Sequence, residues 1–159
     1  MSAAPATRAT RPADIEFAPM TAEDIDTVFA IEQRVHAFPW TLGNFADCLD
    51  SGYRAWVLRV AGATAGYAVV TLALDEAQLL DIGVDAAWQR SGLGRGLMEF
   101  LFDEARRAGA TRMFLEVRES NAAGRALYAR CGFAQVGVRR DYYPTSGGRE
   151  SALVLARDL

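Results

Sequence analysis

The sequence predicts an α/β protein of the α+β kind: a mixed, mostly antiparallel, twisted sheet of about seven strands carrying about four helices. Three observations lead there. Short apolar strand segments separated by turn residues dominate the first half, and strand and helix patterns alternate in the second. A length of 159 residues with 51% hydrophobic content suits one core.

The elements follow in order. Residues 14–18 read as a short first strand. Thr21 caps a helix, with Asp24 three residues later in a capping-box position. Ile25, Val28, Phe29 and Val35 then recur at helical spacing. The stretch His36-Ala37-Phe38-Pro39-Trp40 ends that helix, because Pro39 lacks an N–H and restricts Phe38. Thr41 begins a second short helix with Leu42, Phe45 and Leu49 on one side. Residues 53–60 and 65–74 form a hairpin around a turn at 61–64, and residues 78–84 another strand. Over 92–108, Leu93, Leu97, Phe100, Leu101 and Ala105 make the apolar stripe of a helix that Gly109 terminates. In the strand at 111–118, Leu115 and Val117 face one way and Phe114, Glu116 and Arg118 the other. A helix over 121–130 ends at Cys131-Gly132, and residues 133–140 and 150–157 are the last strands. Residues 1–13, rich in Ala, Thr, Pro and Arg, read as a disordered tail without a signal-peptide core, leaving 14–159 as one domain.

Composition excludes several classes. A formal charge of -3 and a pI near 5.2 do not suit nucleic-acid binding. No apolar run reaches the roughly 18 residues that span a bilayer. Cys48 and Cys131 are too few for a disulfide framework and, with His36 the single histidine, too sparse for a zinc site. The expectation is a cytoplasmic protein with reduced thiols and no metal.

Two segments carry chemistry. In Gln89-Arg90-Ser91-Gly92-Leu93-Gly94-Arg95, glycines let backbone N–H groups converge at a helix start, which suits a pyrophosphate. Arg90 and Arg95 add charge-assisted donors. Leu97 stands where a dinucleotide fingerprint wants a third Gly, and Lys-Ser/Thr, which a P-loop needs after its last Gly, is missing. An ordinary strand–helix turn is the alternative. In the second segment, Glu116 lies inside an apolar strand, where a carboxylate is costly without a task or an ion-pair partner. Tyr128, on the last helix, either packs or acts.

Taken together, Gln-x-x-Gly-x-Gly at 89–94, Leu-Glu-Val-Arg at 115–118, Asn-x-x-Gly-x-x-Leu-Tyr at 121–128 and Gly132-Phe133 resemble the GNAT acetyltransferase superfamily. Within it, His36 to Trp40, Asp81 to Asp85, Glu116 to Arg118 and Arg140-Asp141-Tyr142-Tyr143-Pro144 resemble the RimI family. Those are bacterial alanine N-acetyltransferases of the eighteenth small-subunit ribosomal protein. The resemblance runs over about residues 14–157.

It implies that acetyl-CoA enters a cleft where the strand at 78–84, bulged, splays from the strand at 111–118. Ile82, Gly83 and Val84 would bond its pantetheine arm through their backbone. Gln89, Arg90, Ser91, Gly92, Leu93, Gly94 and Arg95 would hold the pyrophosphate, and Asn121 would also contact the co-substrate. Glu116 matches the general base and Tyr128 the general acid. Trp40, Tyr142 and Tyr143 would line the groove for the N-terminal peptide of a ribosomal protein, bound by a monomer. Two departures stand out: Ser91 where a second basic residue is common, and Gly124 in place of a better helix former, at about 1 kcal/mol.

Elementary chemistry agrees. An α-amine ionises near 7.7–8.0 against about 10.4 for Lys, so a carboxylate deprotonates it more readily. Val84 N–H could steady the oxyanion formed on direct transfer. No role as nucleophile falls to either cysteine. Asp75, Glu76 and Asp81 would draw in a basic peptide. Two alternatives stand beside this reading: another acceptor amine, whether a protein lysine, another N-terminus or a small molecule, or a non-catalytic acyl-CoA-binding module.

Overall fold

A computed structural model describes residues 14–159, so the expected N-terminal tail falls outside the described residues. The strands are β1 (Ile15–Pro19), β2 (Arg54–Val60), β3 (Ala63–Ala73), β4 (Glu76–Val84), β5 (Arg112–Arg118), β6 (Ala134–Thr145) and β7 (Gly148–Asp158). The helices are α1 (Ile25–Val35), α2 (Leu42–Asp50), α3 (Leu93–Arg107) and α4 (Ala122–Arg130). The strands form a 7-stranded sheet in the order β1-β2-β3-β4-β5-β7-β6. Every pairing is antiparallel except that of β4 with β5. This is the mixed sheet that the sequence predicts. Among the described residues no helix is long and apolar enough to cross a membrane.

Period-two alternation sends neighbouring strand residues to opposite faces and so makes two cores. Val57, Tyr67 and Val69 bury one face against Val28 and Ile31 of α1 and Phe45 and Cys48 of α2. Leu58, Ala68, Val70 and Leu115 bury the other against Leu97, Leu101 and Phe102 of α3 and Tyr128 of α4. The helix starts behave as their residues dictate. Thr21 N–H donates to Asp24 Oδ2 at 2.8 Å, although Ala22–Asp24 is a 3-10 turn leading into α1. Thr41 and Asn44 close a reciprocal capping box at α2, with bonds of 2.9 and 3.1 Å.

The last hairpin departs from expectation. β6 runs to Thr145 and β7 starts at Gly148, so Tyr142 and Tyr143 lie within a strand and not beyond its end. The register shifts between Arg139 and Tyr143, and Asp141 takes φ 50. That irregularity breaks the alternation by which the strand would have been recognised.

One feature of the sheet positions the site. β4 and β5 pair only from Glu76↔Arg112 to Leu79↔Leu115. Against β3, Val70 faces Leu79 while Val69 faces Asp81, so Leu80 is an extra, bulged residue. A bulge bends its strand and increases twist. Beyond it, residues 80–84 part from residues 116–118 and leave a slot in the middle of the sheet.

Candidate active site

The slot exposes strand edges that a closed sheet would use up. Groups along an antiparallel strand point alternately to either neighbour. Asp85 N–H donates to Ala65 O on β3 at 2.8 Å, so the flanking Val84 and, two residues back, Ile82 turn toward the slot and Gly83 toward β3. Two slot-facing carbonyls are already taken. His36 Nε2 lies 2.8 Å from Ile82 O, and Gln89 Nε2 donates to Val84 O at 2.9 Å. Val84 N–H, like that of Ile82, still turns toward the slot. The backbone of Gly83 is engaged in the β3 pairing; its glycine identity serves space instead. A Cβ there would stand 2.5 Å from Cζ of Tyr67.

Beyond β4 comes the glycine turn. Arg90 (φ 63) and Gly92 (φ 82) adopt left-handed conformations, and Gly92 caps α3. The N–H groups of Leu93, Gly94 and Arg95 begin the helix without helical partners. No Cβ crowds them: one built on Gly92 meets nothing within 4 Å, and Gly94 packs closely on Leu127. Ser91 hydroxyl donates to Trp88 O, so it braces the turn and is not a free donor. These free N–H groups, in a segment that also carries Arg90 and Arg95, fit a pyrophosphate.

A cavity of about 160 Å³ occupies the opening, and Glu116, Tyr128, Asn121, Trp40 and Tyr143 all line it. Glu116 arrives from β5 on the α1 side of the sheet, and Arg139 Nε holds its Oε1 at 2.7 Å. The ion pair weighed in the sequence is therefore present, and the carboxylate still borders the cavity. Tyr128 reaches in from α4; burial, with Asp81 and Tyr143 nearby, pushes its phenol far above the usual tyrosine range. Asn121 Oδ1 accepts from Gly124 N–H at 2.9 Å and caps α4. A Cβ on Gly124 would meet Asn121 Nδ2 at 2.7 Å, so the glycine makes room for this cap.

The three aromatics expected at a peptide groove are placed differently from one another. Trp40 lines the cavity and tilts onto Phe45 at 5.3 Å, so it both packs and faces the opening. Tyr143 lines it too, whereas Tyr142 is exposed and touches Tyr143 edge-on at 5.0 Å. Of the three acidic residues, only Asp81 borders this cavity; Asp75 binds Thr111 at the far turn. Sequence reasoning missed Arg118, whose guanidinium lies 3.8 Å from the Phe38 ring and 4.3 Å from the Tyr143 ring. It joins the two walls of the groove. It also missed Glu32, and although the stretch 36–40 was expected to flank the groove, the meeting of His36 and Glu32 with Asp81 comes only through folding. Glu32 carried one signal, a carboxylate amid the apolar positions of a helix.

A fold with this parted sheet and glycine turn defines a class. Residues 20–133 match the Acetyltransferase (GNAT) family, and the chain belongs to it. It is 46% identical to the [ribosomal protein bS18]-alanine N-acetyltransferase of Escherichia coli strain K12 over 133 residues, 84% of this chain and 90% of that one. The enzyme of the same name from Salmonella typhimurium is 42% identical over 137 residues, covering 86% and 93%. The crystal structure of the E. coli ribosomal-protein-S18-alanine N-acetyltransferase superposes with a TM-score of 0.84 over 91% of this chain and 93% of that one. Ard1 from Thermoplasma volcanium superposes with 0.82 at 25% identity, over 92% and 98%.

Proposed function

We propose that the chain transfers the acetyl group of acetyl-CoA to the N-terminal alanine amine of the ribosomal protein bS18. The parting of β4 from β5 after Leu79 carries this reading, because it brings Glu116 and Tyr128 to one cavity. The identities of 46% and 42% to enzymes named for that activity support the acceptor.

When bound, acetyl-CoA supplies an acetyl group activated as a thioester. Val84 N–H, the first turn of α3, Arg90, Arg95 and Asn121 would hold it. Glu116 removes a proton from the ammonium, directly or through water. Tyr128 holds a proton for the departing sulfur. Trp40 and Tyr143 flank the peptide and exclude water. Cys48 and Cys131 are buried and take no part. The catalytic domain spans 14–159, works as a monomer in the cytoplasm, and binds neither metal nor nucleic acid.

Intact-mass analysis tests this. bS18 with a free N-terminal alanine, incubated with enzyme and acetyl-CoA, should gain one acetyl group on its terminal amine. An unmodified protein, or an acetyl group on lysine, would refute the proposal.

A further inference from the structure

Two buried carboxylates have no part in the roles above. Glu32, on α1, is 1% exposed and accepts from the Tyr67 hydroxyl at 2.5 Å. The Asp81 side chain, on β4 just past the bulge, is 8% exposed, and its Oδ2 is buried with no hydrogen-bond partner. Among the described residues neither meets an arginine. The nearest cationic candidate is His36, with Nε2 3.4 Å from Asp81 Oδ1 and 3.6 Å from Glu32 Oε2. Nε2 also lies 2.8 Å from Ile82 O, an oxygen that only accepts, so this nitrogen carries its hydrogen for that bond. Burial and the adjoining Glu32 push Asp81 up to about 10, the direction expected where two carboxylates crowd one buried site. What remains is a crowded pair of buried carboxylates with one unpartnered oxygen, Asp81 Oδ2, bordering the cavity of Glu116 and Tyr128.

Burying a carboxylate is costly unless it is paired, and a buried acceptor without a donor is costly too. One ligand removes both costs: a primary ammonium group, with its positive charge and three donors. We propose that the Glu32–Asp81 pair is the seat of the acceptor's α-ammonium group, and that Asp81 is a specificity-determining residue for it. The proposal rests on the reading of the acceptor as an N-terminal amine. The seat binds the amine and Glu116 deprotonates it. Acetylation turns the cation into a neutral amide, which has no attraction to the pair, so the seat also favours release of product.

The test compares two peptides by calorimetry on the CoA-bound protein: one with a free N-terminal alanine, and one of the same sequence already acetylated there. The intact protein should prefer the free amine by roughly tenfold or more, about 1.4 kcal/mol per factor of ten. Asp81→Asn, of equal size, should cut that preference to within about threefold while CoA affinity holds. Glu32→Gln should do the same and gives a second reading if one variant folds poorly. An undiminished preference in both variants overturns the seat and leaves the acceptor reading intact. Failure of the unaltered protein to bind either peptide overturns both. A stoichiometric Zn²⁺ that survives dialysis, and is lost in Asp81→Asn and His36→Gln, would assign the three side chains to a metal and also overturn the seat.

Discussion

Arg139 Nε stands 2.7 Å from Glu116 Oε1, so the carboxylate proposed to remove a proton is tied across the sheet to β6. Arg139 is largely exposed, so the pair contributes little to stability. Its effect is orientation. Small misplacements of reacting groups cost large factors in rate, so Arg139→Gln should lower kcat roughly tenfold with peptide KM within about threefold. Steady-state kinetics of the variant measure both.

Removing the proposed proton carriers should cost far more. Glu116→Gln and Tyr128→Phe should each lower kcat/KM by about 10²–10⁴-fold, the usual worth of general acid–base catalysis. Acetyl-CoA affinity, measured by calorimetry, should be unchanged in both. Because the Tyr128 phenol is held far above its usual range, it stays protonated through pH 9. An alkaline fall in rate below that pH should therefore be the same in Tyr128→Phe.

Asp81 should leave a signature in stability. Its folded value, pushed up to about 10, exceeds the unfolded one of 3.8. Below the unfolded value both states are protonated and the contribution is fully present. Between the two values the unfolded chain has released a proton that the folded chain keeps, so stability falls as pH rises, by at most about 1.4 kcal/mol per pH unit. Urea unfolding of Asp81→Asn should lack this slope, and the variant should gain on the wild type from pH 5 to pH 9.

Gly83 should resist the smallest enlargement. A methyl group there meets the Tyr67 ring, which is fully buried and bonded to Glu32. Gly83→Ala should destabilise the fold by about 1–3 kcal/mol, read as a lowered thermal midpoint.

Arg118 should govern the groove. It stacks between Phe38 and Tyr143 and is held by Glu150 and Pro144 O, each at 3.0 Å. Loss of the stacking is worth about 0.5–2 kcal/mol, so Arg118→Lys should raise peptide KM between roughly twofold and 30-fold. The acetyl-CoA KM should not follow.

Local pattern was enough for the elements of the fold. Helical spacing at Ile25, Val28, Phe29 and Val35, alternation through Leu115 to Arg118, and glycines at 92 and 94 are properties of neighbours along the chain, and each element appeared where they predicted. The end of β6 was hidden because its bulge interrupts that alternation. Pairings across the chain needed the tertiary structure. Arg139 reaches Glu116 through strand order, and Arg118 clasps Phe38 and Tyr143 from three separate segments. Glu32 and Asp81 lie in different elements, and only the bulge at Leu80 turns Asp81 to the face that α1 covers. A sequence carries the period of each element; which side chains meet, and with what charge left over, is decided when those elements pack and water is excluded between them.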